Sequence, residues 1–197
     1  MTGSERTFLP KRLFVVAVFL LIALASIALW LDRDSSVTLP AGPKASTIID
    51  ANLVSPGAIY SAKFTDHFGN QQSLGQWENK LLIINFWATW CGPCKEEIPI
   101  LVRLQAKFGT HGLQIVGIAV DSRVNVVNFA KNASINYPLL PDEGGAIELS
   151  KRLGNRLGLL PHTAMFTPGG ALIYTKLGII SEIELVDIIS KNMPIKR

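Results

Sequence analysis

Two apolar runs separated by one helical pattern constrain the fold of this chain more than any other feature. The runs, Leu81–Ala88 and Leu113–Val120, are almost wholly apolar and rich in Ile and Val, which is typical of strands buried on both faces. Between them, apolar residues recur at the i, i+3, i+4 spacing of a helix, and Gly109 marks its end. A strand, a helix and a strand in this order predict a right-handed βαβ unit.

The segments around this unit predict a mixed α/β sheet with helices on both faces. The further predicted elements are a hairpin with Gly69 and Asn70 in its turn, a helix over Val124–Asn132, a short strand near Tyr137–Leu140, a helical turn, a hairpin around Pro168–Gly170 and a final helix. The final helix begins at Ser181, and Glu184 three residues later is typical of a capping box.

The N-terminal region contains a second constraint, the uncharged run Leu13–Leu31. As a helix, a run of this length spans roughly 28 Å, close to the roughly 30 Å of a bilayer core. Because the run is apolar all round, it favours a transmembrane anchor over a buried core helix. A cleaved signal peptide is the alternative, since Ala23–Ala25 resembles a cleavage site, but cleavage there would leave an apolar stub.

Flanking charges predict the orientation of this anchor. Arg6, Lys11 and Arg12 precede the run, whereas Arg33 and Lys44 follow it. Because cytoplasmic flanks carry an excess of Lys and Arg, the bias favours a cytoplasmic N-terminus. The folded body is then predicted to face the periplasm or the outside, tethered to the cytoplasmic (inner) membrane by a single pass.

The chain is accordingly predicted to have four parts. These are a cytoplasmic N-terminus (1–12), the transmembrane anchor (13–31), a Pro- and Gly-containing linker (32–60) and a folded domain (61–197). The net charge of +4 is modest, and no dense basic tract interleaves with aromatic residues. This composition argues against a nucleic-acid partner.

The chemistry of the chain is concentrated in its only two cysteines, Cys91 and Cys94. A structural zinc site needs four ligands, and the three histidines do not have the spacing that would complete one. A structural staple is a weak alternative, because closing so short a loop stabilises a fold by only about 2 kcal/mol. The remaining interpretation is a redox dithiol, which the strand–CxxC–helix context favours.

The position of Cys91 indicates how this dithiol would react. Cys91 follows a predicted strand and precedes a predicted helix, so its sulfur lies where free backbone N–H groups and the helix dipole favour a thiolate. Pro93 suits the first helical turn because its missing N–H costs little there. Thiols in such places have pKa values of roughly 3.5 to 7.5, against about 8.5 for a free thiol. Cys91 is therefore the predicted nucleophile, and Cys94, one turn later, the resolving thiol.

The segment Ile84–Pro99, with the sequence INFWATWCGPCKEEIP, resembles the active site of thioredoxin-like proteins. It is most like the membrane-anchored TlpA/ResA/DsbE type, within the AhpC/TSA-redoxin-like proteins. From about Phe64 to the C-terminus, the resemblance implies a thioredoxin fold with an N-terminal hairpin extension. It also implies that Pro161 is a cis-proline facing the dithiol, and that Trp90, Leu160 and Pro161 form the substrate groove.

The chain departs from cytoplasmic thioredoxins at one position beside the dithiol. Asn85 stands where those proteins keep a buried Asp, and Asn cannot take a proton from Cys94. Glu97 matches a glutamate of the anchored family and is the predicted proton acceptor, with an ordinary exposed helix charge as the alternative. His162 follows Pro161 where the family usually has Thr or a small residue, and the sequence leaves open whether it faces the thiols or packs elsewhere.

The resemblance implies an enzyme that exchanges its Cys91–Cys94 dithiol with exported protein thiols. It favours a reductant that acts in cytochrome c maturation, on apocytochrome c or another exported thiol protein, and is re-reduced by a membrane electron donor. No cofactor is expected, because the dithiol stores the two electrons. The alternatives are an oxidant of exported thiols and a metallochaperone whose thiolates pass Cu(I) to a partner.

Overall fold

A computed structural model describes residues 20–22, 24–28 and 59–193 of the chain. The chain divides into two compact units, Met1–Ile48 and Ile49–Arg197. In the first unit, the described residues are helical and exposed.

The predicted membrane-associated parts fall largely on residues that the structure does not describe. The predicted N-terminal segment 1–12 lies wholly outside the described residues, and the predicted anchor 13–31 and linker 32–60 lie mostly outside them. Within the part of the chain that is described, no helix is long and apolar enough to cross a membrane.

The second unit contains strands and helices in the order that the sequence predicts. The elements described there are β1 (Lys63–Thr65), β2 (Gln71–Ser73), a 3₁₀ turn (Leu74–Trp77), β3 (Leu81–Trp87), α1 (Gly92–Phe108), a 3₁₀ turn (Gly109–His111), β4 (Leu113–Ala119), α2 (Arg123–Ala133), β5 (Leu139–Pro141), α3 (Ala146–Arg152), β6 (His162–Phe166), β7 (Leu172–Leu177) and α4 (Glu182–Asn192).

The central sheet is mixed, with the strand order β5-β4-β3-β6-β7. Strand β3 pairs parallel with β4 and antiparallel with β6, while β5 and β7 lie at the edges. The predicted βαβ unit is thus β3-α1-β4, at the centre of the sheet. Strands β1 and β2 form the predicted N-terminal hairpin, and the backbone N–H of His67 donates to the Leu139 carbonyl at 3.1 Å, which ties the hairpin to β5.

Strand β3 separates two apolar clusters, because successive side chains of a strand point to opposite faces. All of its residues are buried. Leu81 and Trp87 pack in the cluster that contains α1 and α4, whereas Leu82, Ile84 and Phe86 pack in the cluster that contains α3. Helices therefore cover both faces of the sheet, and α1 lies on the same face as the odd-numbered residues of β3.

At the start of α4, one of the two hydrogen bonds of the predicted capping box is present and the Glu184 carboxylate has other partners. The Ser181 hydroxyl accepts the Glu184 backbone N–H at 3.2 Å, as predicted. The Glu184 carboxylate, however, accepts from the Tyr174 hydroxyl and from Lys176 Nζ on β7. Lys176 on the neighbouring strand forms an ion pair with this carboxylate. The spacing of residues within one helix does not indicate such a partner.

Candidate active site

Cys91 and Cys94 lie between the end of β3 and the first turn of α1, and they form a disulfide. Cys91 is the N-cap of α1, with an extended backbone, and its sulfur accepts the backbone N–H of Cys94 at 3.2 Å. Pro93 occupies the first turn of the helix. The N–H group that points at the Cys91 sulfur would also stabilise a negative charge there once the disulfide is reduced.

The two sulfurs differ in their access to solvent. Cys91 is 6% exposed and Cys94 is 0% exposed, within the apolar cluster formed by α1 and the odd-numbered face of β3. Cys91 is therefore the more accessible of the two cysteines, although both are largely buried. This asymmetry matches the predicted roles of nucleophile and resolving thiol.

A buried aspartate fixes the loop before the dithiol. Asp121, at the end of β4, accepts the Thr89 backbone N–H at 3.0 Å and the Thr89 hydroxyl at 2.5 Å. It also accepts from Ser122 and Asn125. Burial alone would raise the pKa of Asp121, but these hydrogen bonds outweigh it and lower the pKa. The sequence alone did not assign this role, because it depends on the parallel pairing of β3 with β4.

The predicted proton acceptor, Glu97, is fully buried rather than an exposed helix charge. Its Oε2 accepts Asn85 Nδ2 at 3.0 Å, and its Oε1 accepts the backbone N–H of Ile180 at 3.2 Å. Burial raises the pKa of Glu97 to about 7, although both hydrogen bonds and the charge of Lys176 oppose the rise. Near neutral pH the carboxyl group can therefore both accept and return a proton.

Asn85 cannot act as a buried acid, but its side chain holds the Glu97 carboxylate in place. Its amide nitrogen also donates to the Thr163 hydroxyl at 3.1 Å, and Asn85 and Thr163 are partners in the β3–β6 ladder. Both side chains therefore point to the face of the sheet that α1 covers. The roles of Asn85 and Thr163 follow from strand register, which the sequence does not specify.

The predicted groove residues lie at the end of the central sheet where β3 ends and the segment with the dithiol begins. The Leu160–Pro161 peptide bond is cis, and the Pro161 carbonyl accepts the Gly178 N–H at 2.8 Å. Pro161 directly precedes β6, which runs antiparallel to β3, so it lies beside the end of β3. Leu160 is half-buried, and Trp90, next to Cys91, is 67% exposed. Trp90 is therefore available to a partner molecule and is not a core residue.

His162, whose orientation the sequence left open, faces away from the dithiol. It is the ladder partner of Phe86, on the opposite face of the sheet from Asn85, and the two rings stack with centroids 5.5 Å apart. Its Nδ1 lies 2.8 Å from the Ser150 hydroxyl. Burial lowers the pKa of His162 to about 4, so the ring is neutral at physiological pH. His162 thus has a packing role.

The Cu(I)-handling alternative needs only the two thiolates of Cys91 and Cys94, which here are joined as a disulfide. Among the residues that the structure describes, no group of three or more His, Cys, Asp and Glu side chains is placed to hold a metal ion.

The fold and the site together define a class of protein. A CxxC disulfide at the start of a helix, after a central buried strand and beside a cis-proline, is the arrangement of a thiol-disulfide oxidoreductase with the thioredoxin fold. Comparison with known proteins supports this class and also shows the family within it. The chain belongs to the AhpC/TSA family, whose sequence model matches residues 58–175.

Similar individual proteins are of the same class. Two relatives are thiol-disulfide oxidoreductases ResA, one from Bacillus subtilis (strain 168), 28% identical over 130 residues, and one from Bacillus thuringiensis subsp. konkukian (strain 97-27), 30% identical over 131 residues. Each match covers 66% of this chain, and 70% and 73% of the relatives. A solved structure of a thiol:disulfide interchange protein from Chlorobium tepidum TLS has a TM-score of 0.60 at 27% identity, covering 68% of this chain and 94% of that one. The predicted thioredoxin fold and the resemblance to ResA are confirmed.

Proposed function

We propose that the protein is a membrane-tethered oxidoreductase that reduces disulfides in exported proteins. The observation that carries the proposal is the Cys91–Cys94 disulfide at the start of α1, in which Cys91 is the more exposed residue. One turn beyond Cys94 lies the buried Glu97, with a pKa of about 7. These groups supply the nucleophile, the resolving thiol and the proton acceptor that two-step disulfide exchange requires.

The reaction begins with the reduced dithiol. The Cys91 thiolate attacks one sulfur of the substrate disulfide, whose S–S bond breaks, and the other substrate sulfur leaves as a thiolate. Cys94 then gives its proton to Glu97 and attacks the Cys91 sulfur, which breaks the mixed disulfide and forms the Cys91–Cys94 bond. Two electrons have passed to the substrate, and a membrane dithiol donor returns two electrons to the protein.

Resemblance to the anchored family supports the direction of this transfer. Oxidising members of the thioredoxin fold have a stabilised reduced form. Here ionisation of the fully buried Cys94 adds little to the stability of the reduced form, so the stability of the Cys91 thiolate sets the reduction potential.

Equilibration with glutathione buffers tests the direction. We expect a reduction potential nearer to about −270 mV than to about −120 mV, the values of a reducing and an oxidising member of this fold. A potential near the second value would make the protein an oxidant of exported thiols. Failure to exchange any disulfide would contradict the proposed function as a whole.

The tether and its orientation are part of the proposal. The support is the uncharged run 13–31 and the excess of Lys and Arg before it. A reporter that is active only outside the cytoplasm, fused after Arg197, should be active, and the protein should sediment with membranes. Activity from a reporter that works only in the cytoplasm would reverse the orientation.

The substrate is proposed to be an exported thiol protein, with apocytochrome c as the specific candidate. Resemblance to the anchored family supports this choice. Replacing Cys94 by Ser should leave each captured substrate bound to Cys91 as a mixed disulfide, because the second step is blocked. Mass spectrometry of the trapped complexes would identify the partner, and a set of complexes without any c-type cytochrome would exclude the specific candidate.

A further inference from the structure

Lys176 on β7 is a charged residue on the face of the sheet that α1 covers. Thr163 is the ladder partner of both Asn85 on β3 and Lys176 on β7. Paired residues of neighbouring strands point to the same face, so these three side chains form one row across the sheet. Asn85 Nδ2 donates to the Thr163 hydroxyl at 3.1 Å and to Glu97 Oε2 at 3.0 Å. The row that contains Lys176 is therefore connected to the buried carboxyl group.

A second set of contacts connects Lys176 to Glu97 from the other side. Lys176 Nζ lies 2.5 Å from a carboxylate oxygen of Glu184, in an ion pair between β7 and α4. The Glu184 N–H donates to the Ser181 hydroxyl at 3.2 Å, and Ser181 directly follows Ile180. The Ile180 N–H donates to Glu97 Oε1 at 3.2 Å. Lys176 and Glu97 are therefore members of one closed ring of contacts.

The ion pair in this ring is the least exposed one that the described residues form. The side chains of Lys176 and Glu184 are each 33% exposed, against 43–69% for the other ion-paired side chains. The Tyr174 hydroxyl also donates to the Glu184 carboxylate and helps to fix it beside the ammonium group. Because a partly buried charge is screened less than an exposed one, this ammonium group can act on nearby buried groups.

Lys176 is the cation among the groups that surround Glu97. These groups are Cys94 on α1, Asn85 on β3, Thr163 on β6, Lys176 on β7, Glu184 on α4 and Tyr137 before β5. Strand β4 carries no ionisable side chain. Burial and the charge of Glu97 both raise the pKa of Tyr137, so its hydroxyl stays neutral. Burial raises the pKa of Glu97 to about 7, and the charge of Lys176 is among the effects that oppose the rise.

We propose that Lys176 is a positioning residue for the second chemical step, whose ammonium group, fixed by Glu184, sets the pH range in which Glu97 takes the proton of Cys94. This inference rests on the proposed function, in which Glu97 accepts that proton. Lys176 acts through Glu97 and not on the substrate. Without a nearby positive charge, more of the buried Glu97 would be protonated at neutral pH and unable to accept a proton.

The spacing of the strands gives the size of the effect. Neighbouring strands lie about 4.8 Å apart, so the backbone of β7 is about 10 Å from that of β3. A unit charge at this distance, in a partly solvated protein interior, moves a titration midpoint by about half a pH unit or more. On the acid side of the midpoint the rate follows the ionised fraction of Glu97, so half a unit is about a threefold change in rate.

Two neutral replacements, Lys176→Gln and Lys176→Met, test the proposal in the full chain in detergent. Stopped-flow release of a fluorescent thiol, at saturating disulfide substrate, gives the rate of the second step as a function of pH. We expect the pH midpoint to rise by about half a unit or more in both variants, with rates about threefold lower on the acid side and equal at high pH. Carbon NMR of the Glu97 carboxyl group in the disulfide form, assigned with Glu97→Gln, should show the same rise without any exchange reaction.

Two further variants separate charge from packing. Lys176→Arg keeps the positive charge and should keep the parent midpoint, which a role in packing alone does not explain. Lys191→Gln is the matched control, since Lys191 also pairs with an acidic residue of α4, Asp187, but both side chains are well exposed, at 69% and 56%. This variant removes the same charge from the protein and should leave the midpoint unchanged.

The outcomes distinguish the inference from the proposed function. Equal midpoints in the parent protein and both neutral variants would refute the role of Lys176 and leave the proposed function intact. An equal rise in Lys176→Arg would also refute it, because charge would then not be the cause. If the titration of the Glu97 carboxyl group moves but the pH dependence of the rate does not, Glu97 is not the proton acceptor and the inference is overturned. If the parent protein exchanges no disulfide at all, the proposed function fails and the inference fails with it.

Discussion

Replacing Glu97 by Gln should remove a loss of stability that accompanies rising pH. The pKa of Glu97 is about 7 in the folded protein, whereas a glutamate in water has an ordinary pKa of 4.5. Below pH 4.5 the group is protonated in both states and costs nothing. As pH rises towards 7 the unfolded chain loses this proton while the folded protein keeps it, so the stability contributed by the protonated group is lost. The difference of about 2.5 pKa units corresponds to about 3 kcal/mol.

Gln keeps the size of the side chain and one acceptor oxygen for the Ile180 N–H but does not ionise. We therefore expect the difference in unfolding free energy, Glu97→Gln minus parent, to become more positive by about 3 kcal/mol between pH 4.5 and pH 8. Urea titrations of the disulfide form measure this difference. Glu96→Gln is the matched control, since Glu96 is exposed on the same helix and its replacement should give no such change.

The same variant should slow the second chemical step. Without a carboxylate to accept the Cys94 proton, mixed disulfides should resolve at least tenfold more slowly near pH 7, and the deficit should shrink at higher pH as Cys94 ionises unaided. Stopped-flow release of a fluorescent substrate thiol measures the rate. If the free-energy difference stays flat with pH and the release rate matches the parent protein, the assignment of Glu97 is refuted.

Four further predictions follow from the described contacts. The alkylation rate of reduced Cys91 should have a pH midpoint below about 8.5, and that of Cys94 a higher midpoint, measured in single-cysteine variants. Because the pKa of His162 is lowered to about 4, stability should fall as pH drops from about 6.5 towards 4, by up to about 3 kcal/mol, and urea titrations of His162→Gln should lack this fall. Gly117→Ala should cost about 1–3 kcal/mol by thermal unfolding, because its new Cβ would lie 2.9 Å from a Leu139 methyl group. Asp121→Ala should lower the rate of disulfide exchange but leave the reduction potential nearly unchanged, because it frees the loop before Cys91. Equal exchange rates for the variant and the parent protein would contradict this role.

The sequence predicts the central elements well because their signals are local. Strand β3 is a continuous apolar run, as a strand covered on both faces must be, and Gly109 ends α1 at the predicted position. The burial of Glu97 also has a local signal in the sequence. Cys94, Glu97 and Leu101 lie on one helical stripe, so a glutamate at this spacing indicates a buried carboxyl group.

Other parts of the site depend on pairing between distant segments. Asn85 meets Thr163, and His162 meets Ser150, only because β6 pairs with β3 in one particular register. A shift of one residue would exchange the faces of these side chains and point His162 at the dithiol. No local pattern in the sequence distinguishes the two registers. The orientation of His162 could therefore not be predicted.

The full burial of Cys94 has a consequence for how the protein would meet the two partners proposed for it. In the proposed reaction, electrons enter through the reverse of the step by which they leave, so the donor dithiol must also form its mixed disulfide at Cys91. Donor and substrate therefore compete for one docking surface and cannot be bound together. Steady-state rates should consequently follow ping-pong kinetics, with parallel lines in double-reciprocal plots, and an excess of either partner should inhibit the turnover of the other.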